Sequence, residues 1–574
     1  MGDIEDFPLI ASLSRFSFGD ASLWERAGAG LTSYPVLALL PHAVLFRIFG
    51  TAGYIAADIL IALAFYLTLE ALLRFFGFSS RLSVLGAALP ILITKIPATG
   101  GYMAYINYFP LNFWGWRIPR PFVSEIFFFA ALAAAWGLFR PGSKCGTKAW
   151  GALGLAFALA VQTQAHAALI LFLAMPLWWA ASGRDRLRGG ALVRGFFVAS
   201  LVFAVVVALF VAQRWIEHPD LPVRCGVFSV DRFHPIFLEV NPAAVFVWGY
   251  TFLIAWLLPR FFTDGRGCVL RAALCFTACL TIAAYFALPV SWMLLGRTVQ
   301  PGLFERQFDK IFSLNYFITI VAVMEAALMV PCLPALKNIV TKSFISVVLV
   351  IAAASSVGWV TTLAGNGDHM RPTFEEYKEL GPGYRDDFAA LVRELEKPVY
   401  GECRVIGTFD HQAYAWWGGF RNGYSYLPDP LMTTASDGEI EQRFVEFCRL
   451  VGVQREELAA FAGLSYVNIF WIGHDKYQAS RAHTLRPIAD YSASTAVKIS
   501  KTSPLDSWHV ELPQTDAARL VSRYDASGDA PTGRLDLVVL NTDKSQRQLA
   551  PPGHLFEPVF SNASFRVWRR RSAP

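Results

Sequence analysis

Charge is scarce in this chain: Asp, Glu, Lys and Arg make up 16% of its 574 residues, where soluble domains carry about a quarter. With 55% hydrophobic residues and a mean hydropathy of +0.41, that scarcity excludes an ordinary soluble domain and points to an integral membrane protein. The net charge is only +6. Its basic residues sit in short loops between apolar runs, which speaks for membrane topology and against nucleic acid as a partner. The 8 cysteines form no CxxC pair and have no histidine at ligand spacing, so no zinc site is expected. The start is acidic and has neither the basic nor the apolar region of a signal peptide. No internal repeat is visible, and with it no sign of the duplicated halves common in transporters.

What the sequence does have is long apolar runs. A spanning helix needs roughly 20 mostly apolar residues, and runs of that kind fall near 52–76, 80–97, 122–140, 195–213, 242–262, 270–292, 313–335 and 343–363. Residues 151–182 read either as one long helix or as two short ones, 151–163 and 165–182, meeting at "QTQAH". Basic residues cluster at Arg74/Arg81, Lys144/Lys148, Arg184/Arg186/Arg188/Arg194, Arg260/Arg266/Arg271 and Lys337/Lys342. If all five clusters are cytoplasmic, 151–182 crosses twice. The N-terminus, loops 98–121, 214–241 and 293–312, and everything after 364 are then outside. "PVLALLPHAVLFRIFG", residues 35–50, is short and broken by proline, and reads as an interfacial helix lying on the membrane. The parity would be regular with one more helix before Asp3, so an apolar stretch upstream of the acidic start is expected.

From about 364 the long apolar runs stop, and charge, proline and glycine rise. An amphipathic helix ending near Lys397 is followed by strand-like runs at "CRVIGTF", "LSYVNIFWIG", "SWHVELP", "RLDLVVLN" and "ASFRVWRR", with helices between them such as 438–451. The expectation is a soluble α+β domain over 364–574, large enough to bury its own core.

Several clusters carry candidate chemistry. "MGDIEDFPLI" places Asp3, Glu5 and Asp6 together at the start. They form either a solvated terminus or a catalytic loop, in which one carboxylate takes a proton from an attacking hydroxyl. Asp3 and Asp6 also suit a shared divalent ion such as Mg or Mn, which prefers oxygen ligands. In "NYFPLNFWGWRIPRPFVSE", residues 107–125, prolines stiffen the backbone around Arg117 and Arg120, and arginine forks bind phosphate. Trp114 and Trp116 suit the membrane interface. Arg306 and Lys310 in "GLFERQFDKIF" stand four apart and share one helical face. They are a second candidate for holding a lipid phosphate, or a solvated pair. Loop 214–241 adds His218, Asp220, Asp231, Arg232, His234 and Glu239 at irregular spacing. Gln162, Gln164 and His166 either line a substrate cavity or satisfy one another in the bundle. Glu70, Glu125 and Glu325, within or at the ends of spans, suggest function because charge there is costly; the milder reading is snorkelling. Trp416 and Trp417 in "FDHQAYAWWGGFRNGYSYLPDP" can stack on sugar faces or pack a core. Cys403 and Cys448 are both outside in this topology, where a disulfide can persist. "NAS" at 562–564 matches a glycosylation acceptor pattern.

The stretch "GDIEDFPLIASLSRFSFGD…LTSYPVLALLPHAVLFRIFG…AADILIALAFYLTLEALL" resembles the first outer loop and following helices of the GT-C glycosyltransferase superfamily. In that group an outer loop opens with acidic residues, continues through a "YP" or "PP" stretch with an interfacial helix, and reaches an aspartate near the start of the next span. Asp3, Glu5, Asp6, Tyr34, Pro35 and Asp58 stand at matching places. The resemblance covers the topology of 1–363, with an outer loop over 1–51 and the outside C-terminal domain. It implies a polytopic α-helical bundle of about ten spans in a bacterial inner membrane. The implied activity moves a hexosyl or pentosyl group from a polyprenyl-phosphate donor to an envelope glycan or lipid-linked acceptor. Asp3 or Asp6 would be the base, with Glu5 beside them. Arg117, Arg120, Arg306, Lys310, Gln164 and His166 would face the donor and its phosphate, and Trp416 and Trp417 the acceptor. The rival expectation is a transporter or flippase of lipid-linked saccharides, or a non-catalytic assembly protein.

Overall fold

The computed structural model describes residues 7–14, 36–92, 122–140, 147–181, 189–214, 245, 247–262, 265–295, 301–329, 383–400, 403–406, 424–425, 437–459, 514–528, 535–541 and 550–571. The span expected at 343–363 and the strands expected at "LSYVNIFWIG" and "SWHVELP" lie outside them.

Helices α1 (Phe7–Ser14) and α2 (Val36–Phe49) lead into α3 (Thr51–Phe75) and α4 (Ser80–Leu92). They are followed by α5 (Phe122–Phe139), α6 (Thr147–Ala181) and α7 (Gly189–Arg214). Next come α8 (247–257), α9 (Arg266–Leu295) and α10 (Pro301–Met329). The bundle inverts the soluble pattern. Ile55, Ile59, Leu60, Leu63 and Leu67 on α3, Val193, Phe196, Phe197, Leu201 and Val205 on α7, and Phe252 and Trp256 on α8 all face outward. Apolar stripes that water would penalise are what lipid accepts, so this is a mostly helical, membrane-embedded fold.

Although α6 is helical along its whole length, it folds back on itself. The rings of Phe157 and Phe172 are 6.1 Å apart, whereas fifteen residues of straight helix would separate them by about 22 Å. The first arm lies along α7: Gly195 sits under the Trp150 ring, Phe157 stacks on Phe203, and Gln162 donates to the Val206 carbonyl. The second arm lies along α5: Ser124 donates to the Thr163 carbonyl, and Trp178 meets Trp136. The two arms that the charge parity calls for are therefore present, with the reversal between Thr163 and Ala168.

While Arg47, Arg214, Arg306 and Lys310 stand toward one end of the bundle, the other gathers Arg74, Arg81, Arg140, Lys148, Arg194, Arg260, Arg266 and Arg271. It is closed by an aromatic knot in which Phe76, Trp136, Trp178 and Phe276 stand 5.4–6.5 Å apart. Each such pair adds about 0.5–1.5 kcal/mol beyond its buried area. Trp136 Nε1 also donates to the Phe75 carbonyl. Deeper in, Asn315 accepts from Thr277 and donates to Thr251, which also meets Thr319. These buried bonds join α8, α9 and α10, at about 0.6 kcal/mol each on average for membrane proteins.

The α2 helix does not lie flat as an interfacial helix would. It turns at Gly50, with φ of 59°, and runs back antiparallel along α3, pairing Phe46 with Tyr54 and His42 with Asp58. The close approach is possible because residue 53 is glycine: a β-carbon there would stand 1.9 Å from the Leu45 carbonyl oxygen.

The C-terminal unit has α11 (Tyr384–Leu395), α12 (Asp437–Leu450) and α13 (Gln514–Ala526) around a five-stranded sheet. The strands are β1 (Arg404–Ile406), β2 (Tyr424–Ser425), β3 (Leu537–Asn541), β4 (Phe556–Ser561) and β5 (Phe565–Arg570), in the order β2-β1-β3-β5-β4. The pairs β1–β2 and β1–β3 are parallel, and the other two are antiparallel. Alternation splits the sheet's side chains. Leu537, Val539, Phe565 and Val567 pack against α11, while Val538, Leu540 and Trp568 pack against α12 and α13. That second cluster continues into Ile10 and Leu13 of α1 and Leu39 and Ala43 of α2. The C-terminal unit thus meets the bundle at the end away from the basic rim.

Candidate functional site

Asp3, Glu5, Asp6, Tyr34, Pro35, Arg117, Arg120, Trp416 and Trp417 lie outside the described residues, as does loop 214–241. The backbone places the remaining candidates. Gln164 and His166 are in the reversal of α6, which the Ser124 bond to Thr163 ties to the start of α5. Arg306 and Lys310 are in the first turns of α10. Glu325, near the other end of α10, meets Arg266 and Ser79 at the basic rim, so nineteen helical residues put Arg306 about 28 Å from that rim. All four positions therefore belong to the end of the bundle opposite the basic rim.

The intramembrane carboxylates divide. Glu325 accepts from both the backbone N–H and the hydroxyl of Ser79, at 3.1 and 2.8 Å, and faces Arg266 at 3.5 Å. It caps the start of α4 and pins it to α9 and α10, which is a structural role. Glu70 pairs with Arg74 one turn on, at the basic rim. Glu125 is buried in the first turn of α5, at the far end.

The feature that spacing did not reveal is His42. It is fully buried, and its Nε2 stands 2.8 Å from Asp58 Oδ1. Its ring lies 4.9 Å from that of Tyr54, and its Nδ1 has no hydrogen-bond partner among the described residues. Asp58 keeps 26% of its side chain exposed. Sixteen helical residues separate Asp58 from Arg74, about 24 Å. It therefore stands near the far boundary of a hydrocarbon layer about 30 Å thick.

In the C-terminal unit, Cys403 and Cys448 lie in clusters on opposite faces of the sheet. No disulfide joins them. Burial pushes the Cys448 thiol well above its ordinary range. Asn562 of "NAS" is occupied: its amide donates to the Asp387 carbonyl and accepts from the backbone of Ser564 and Phe565. Among the described residues, no group of three or more His, Cys, Asp or Glu side chains stands at metal-binding distance.

No family model matches the chain, and no curated protein matches it. Among solved structures, it is similar to the crystal structure of ArnT from Cupriavidus metallidurans in the apo state. That similarity covers 99% of this chain and 93% of that chain, at 14% identity and a TM-score of 0.38. Likeness at that level carries no conclusion about chemistry.

Proposed function

We propose that this chain is a membrane glycosyltransferase of the GT-C kind, taking a hexosyl or pentosyl group from a polyprenyl-phosphate donor to an envelope glycan or lipid-linked acceptor. The observation that supports this most is a polar end. The Asp58–His42 pair, the α6 reversal with Gln164 and His166, and the α10 turns with Arg306 and Lys310 share the end away from the basic rim. The C-terminal unit meets the bundle at that end too. By the positive-inside rule the basic rim is cytoplasmic, so the polar end and the domain at 364–574 face outward from a bacterial inner membrane.

The chemistry follows from the leaving group. The acceptor oxygen attacks the anomeric carbon, and the carbon–oxygen bond to phosphate breaks with its electron pair going to the phosphate. The acceptor's proton goes to Asp3 or Asp6, with Glu5 adding charge nearby. Phosphate leaves as a stable anion, so no second carboxylic acid has to protonate it, unlike in a glycosidase. Cations are what such a site needs, and Arg117, Arg120, Arg306 and Lys310 supply them. A divalent ion, Mg or Mn, held by Asp3 and Asp6 would add charge at the same place, since carboxylate oxygens suit it. Trp416 and Trp417 would offer ring faces to the acceptor.

The test separates transfer from transport. The full chain is reconstituted in vesicles with a radiolabelled polyprenyl-phosphate sugar and membrane glycan as acceptor. Transfer releases one polyprenyl phosphate for each sugar joined, and only with acceptor present. Movement of intact donor between leaflets, without consumption, would make the chain a flippase instead.

A further inference from the structure

Asp58 is a carboxylate in an unusual setting. Its neighbours Ile55 and Ile59 on α3 are more than half exposed, so it stands at the edge of the stripe that faces lipid. Charge at such a place is costly and persists where something holds it. What holds it is His42, brought across from α2 by the Gly50 turn, with Nε2 as the donor to Oδ1 at 2.8 Å. With Nε2 protonated, the buried Nδ1 carries the lone pair, the tautomer this bonding pattern implies. The imidazole is sealed in, with 0% of its side chain exposed. It therefore cannot touch a ligand. The part of the pair open to one is Asp58, whose partner among the described residues is His42 alone.

We propose that Asp58 accepts a hydrogen bond from a hydroxyl of the donor's sugar, and that His42 is the residue that positions it. This rests on the glycosyltransferase reading and adds a sugar subsite to it. The ligand class follows from the place. A group reached from the lipid side, about 24 Å from the basic rim, serves a ligand that arrives attached to a lipid. A bare carboxylate oxygen selects a hydroxyl over a phosphate, which it would repel. His42 is flanked on α2 by Leu39 and Ala43, and its ring meets Tyr54; all three belong to the apolar cluster that runs through α1 into the C-terminal unit. The packing of α2 on α3 thus sets the imidazole, and the imidazole sets the carboxylate.

The test measures binding by the full chain in lipid nanodiscs. The probes are bare polyprenyl phosphate and polyprenyl phosphate carrying glucose, mannose, galactose or arabinose. At least one sugar-bearing lipid should bind more tightly than the bare one. Asp58→Asn should weaken that lipid about tenfold or more, the range for a hydrogen bond to a charged group, and leave bare polyprenyl phosphate unchanged. His42→Leu, which keeps bulk but no donor, should give a similar loss, and none beyond Asp58→Asn in the double variant. His42→Gln, which restores a donor near the Nε2 position, should recover most of it. Equal weakening of both lipids, no weakening, or additive losses would each overturn the subsite. If the unmodified chain binds bare polyprenyl phosphate but prefers no sugar, the subsite falls and the phosphate-binding reading stands. If it binds none of the probes, both fall.

Discussion

The first arm of α6 and the start of α7 cross at Gly154, where the packing has no slack. A β-carbon at 154 would lie 2.4 Å from the Ala199 carbonyl oxygen and 2.8 Å from its Cα, and both are main-chain atoms that cannot rotate away. Restoring ordinary contact distance would push the helices apart by about 1 Å, and a gap of that size forfeits a quarter to a half of each van der Waals contact along the seam. The Phe157–Phe203 stack and the Trp150 ring over Gly195 lie on that seam. Gly154→Ala should therefore cost about 1–3 kcal/mol, the usual range for overpacking. One turn away, Gly151 has nothing within 4 Å of its β-position. Gly151→Ala should instead be neutral or gain about 0.5–1 kcal/mol from the restricted unfolded chain. Unfolding of the two variants in mixed micelles, followed by tryptophan fluorescence, reads the difference directly. If they shift stability equally, the close crossing does not exist, and the fold-back of α6 loses one of its supports.

Three further outcomes are expected. Glu325→Ala should destabilise the bundle by about 1–3 kcal/mol, because it strands the Ser79 N–H and hydroxyl; an unchanged unfolding midpoint would show that α4 is capped otherwise. Without reductant, alkylation of the folded protein should label the half-buried Cys403 and spare Cys448 until the domain is denatured, whereas a Cys403–Cys448 disulfide in the intact mass would contradict the sheet's placement of the two thiols. The Arg455 hydrogen bond holds the Asp525 carboxyl below the ordinary carboxylate range, so the pair's stabilisation should be present above the unfolded carboxylate's pKa and vanish as pH falls through the lower folded value; Asp525→Asn should thus lose a little stability at neutral pH and none in strong acid, and a pH-independent difference would refute the coupling.

The helices from α3 to α9 were legible because lipid imposes long apolar runs, and each starts or ends within a few residues of an expected run; α10 instead begins at Pro301, inside the stretch expected as the loop 293–312. Residues 151–182 show where that signal stops. Hydropathy is the same for one long helix and for two short ones; only loop charge favoured two, and the Phe157–Phe172 contact supplies the geometry. Strand β4 was missed because "FEPVFS" contains Pro558, which removes a ladder donor and reads as a break. It is tolerated because β4 is an edge strand, with an irregular register at Pro558–Phe560. His42 was hidden for another reason. Sixteen residues separate it from Asp58, a spacing that matches neither helix nor strand, and the two meet only because Gly50 and Gly53 let α2 fold back on α3. In the candidate site, the end of the bundle to which Gln164, His166, Arg306 and Lys310 belong followed from counting spans; the dyad did not.

The most direct test of the central claim uses purified membranes carrying the chain, a radiolabelled polyprenyl-phosphate sugar and membrane glycan as acceptor. With Asp3→Asn and Asp6→Asn combined, transfer should fall to background while the protein's abundance and unfolding midpoint stay unchanged. Transfer at the unmodified rate would show that neither carboxylate takes the acceptor's proton, and would contradict the mechanism proposed for this chain.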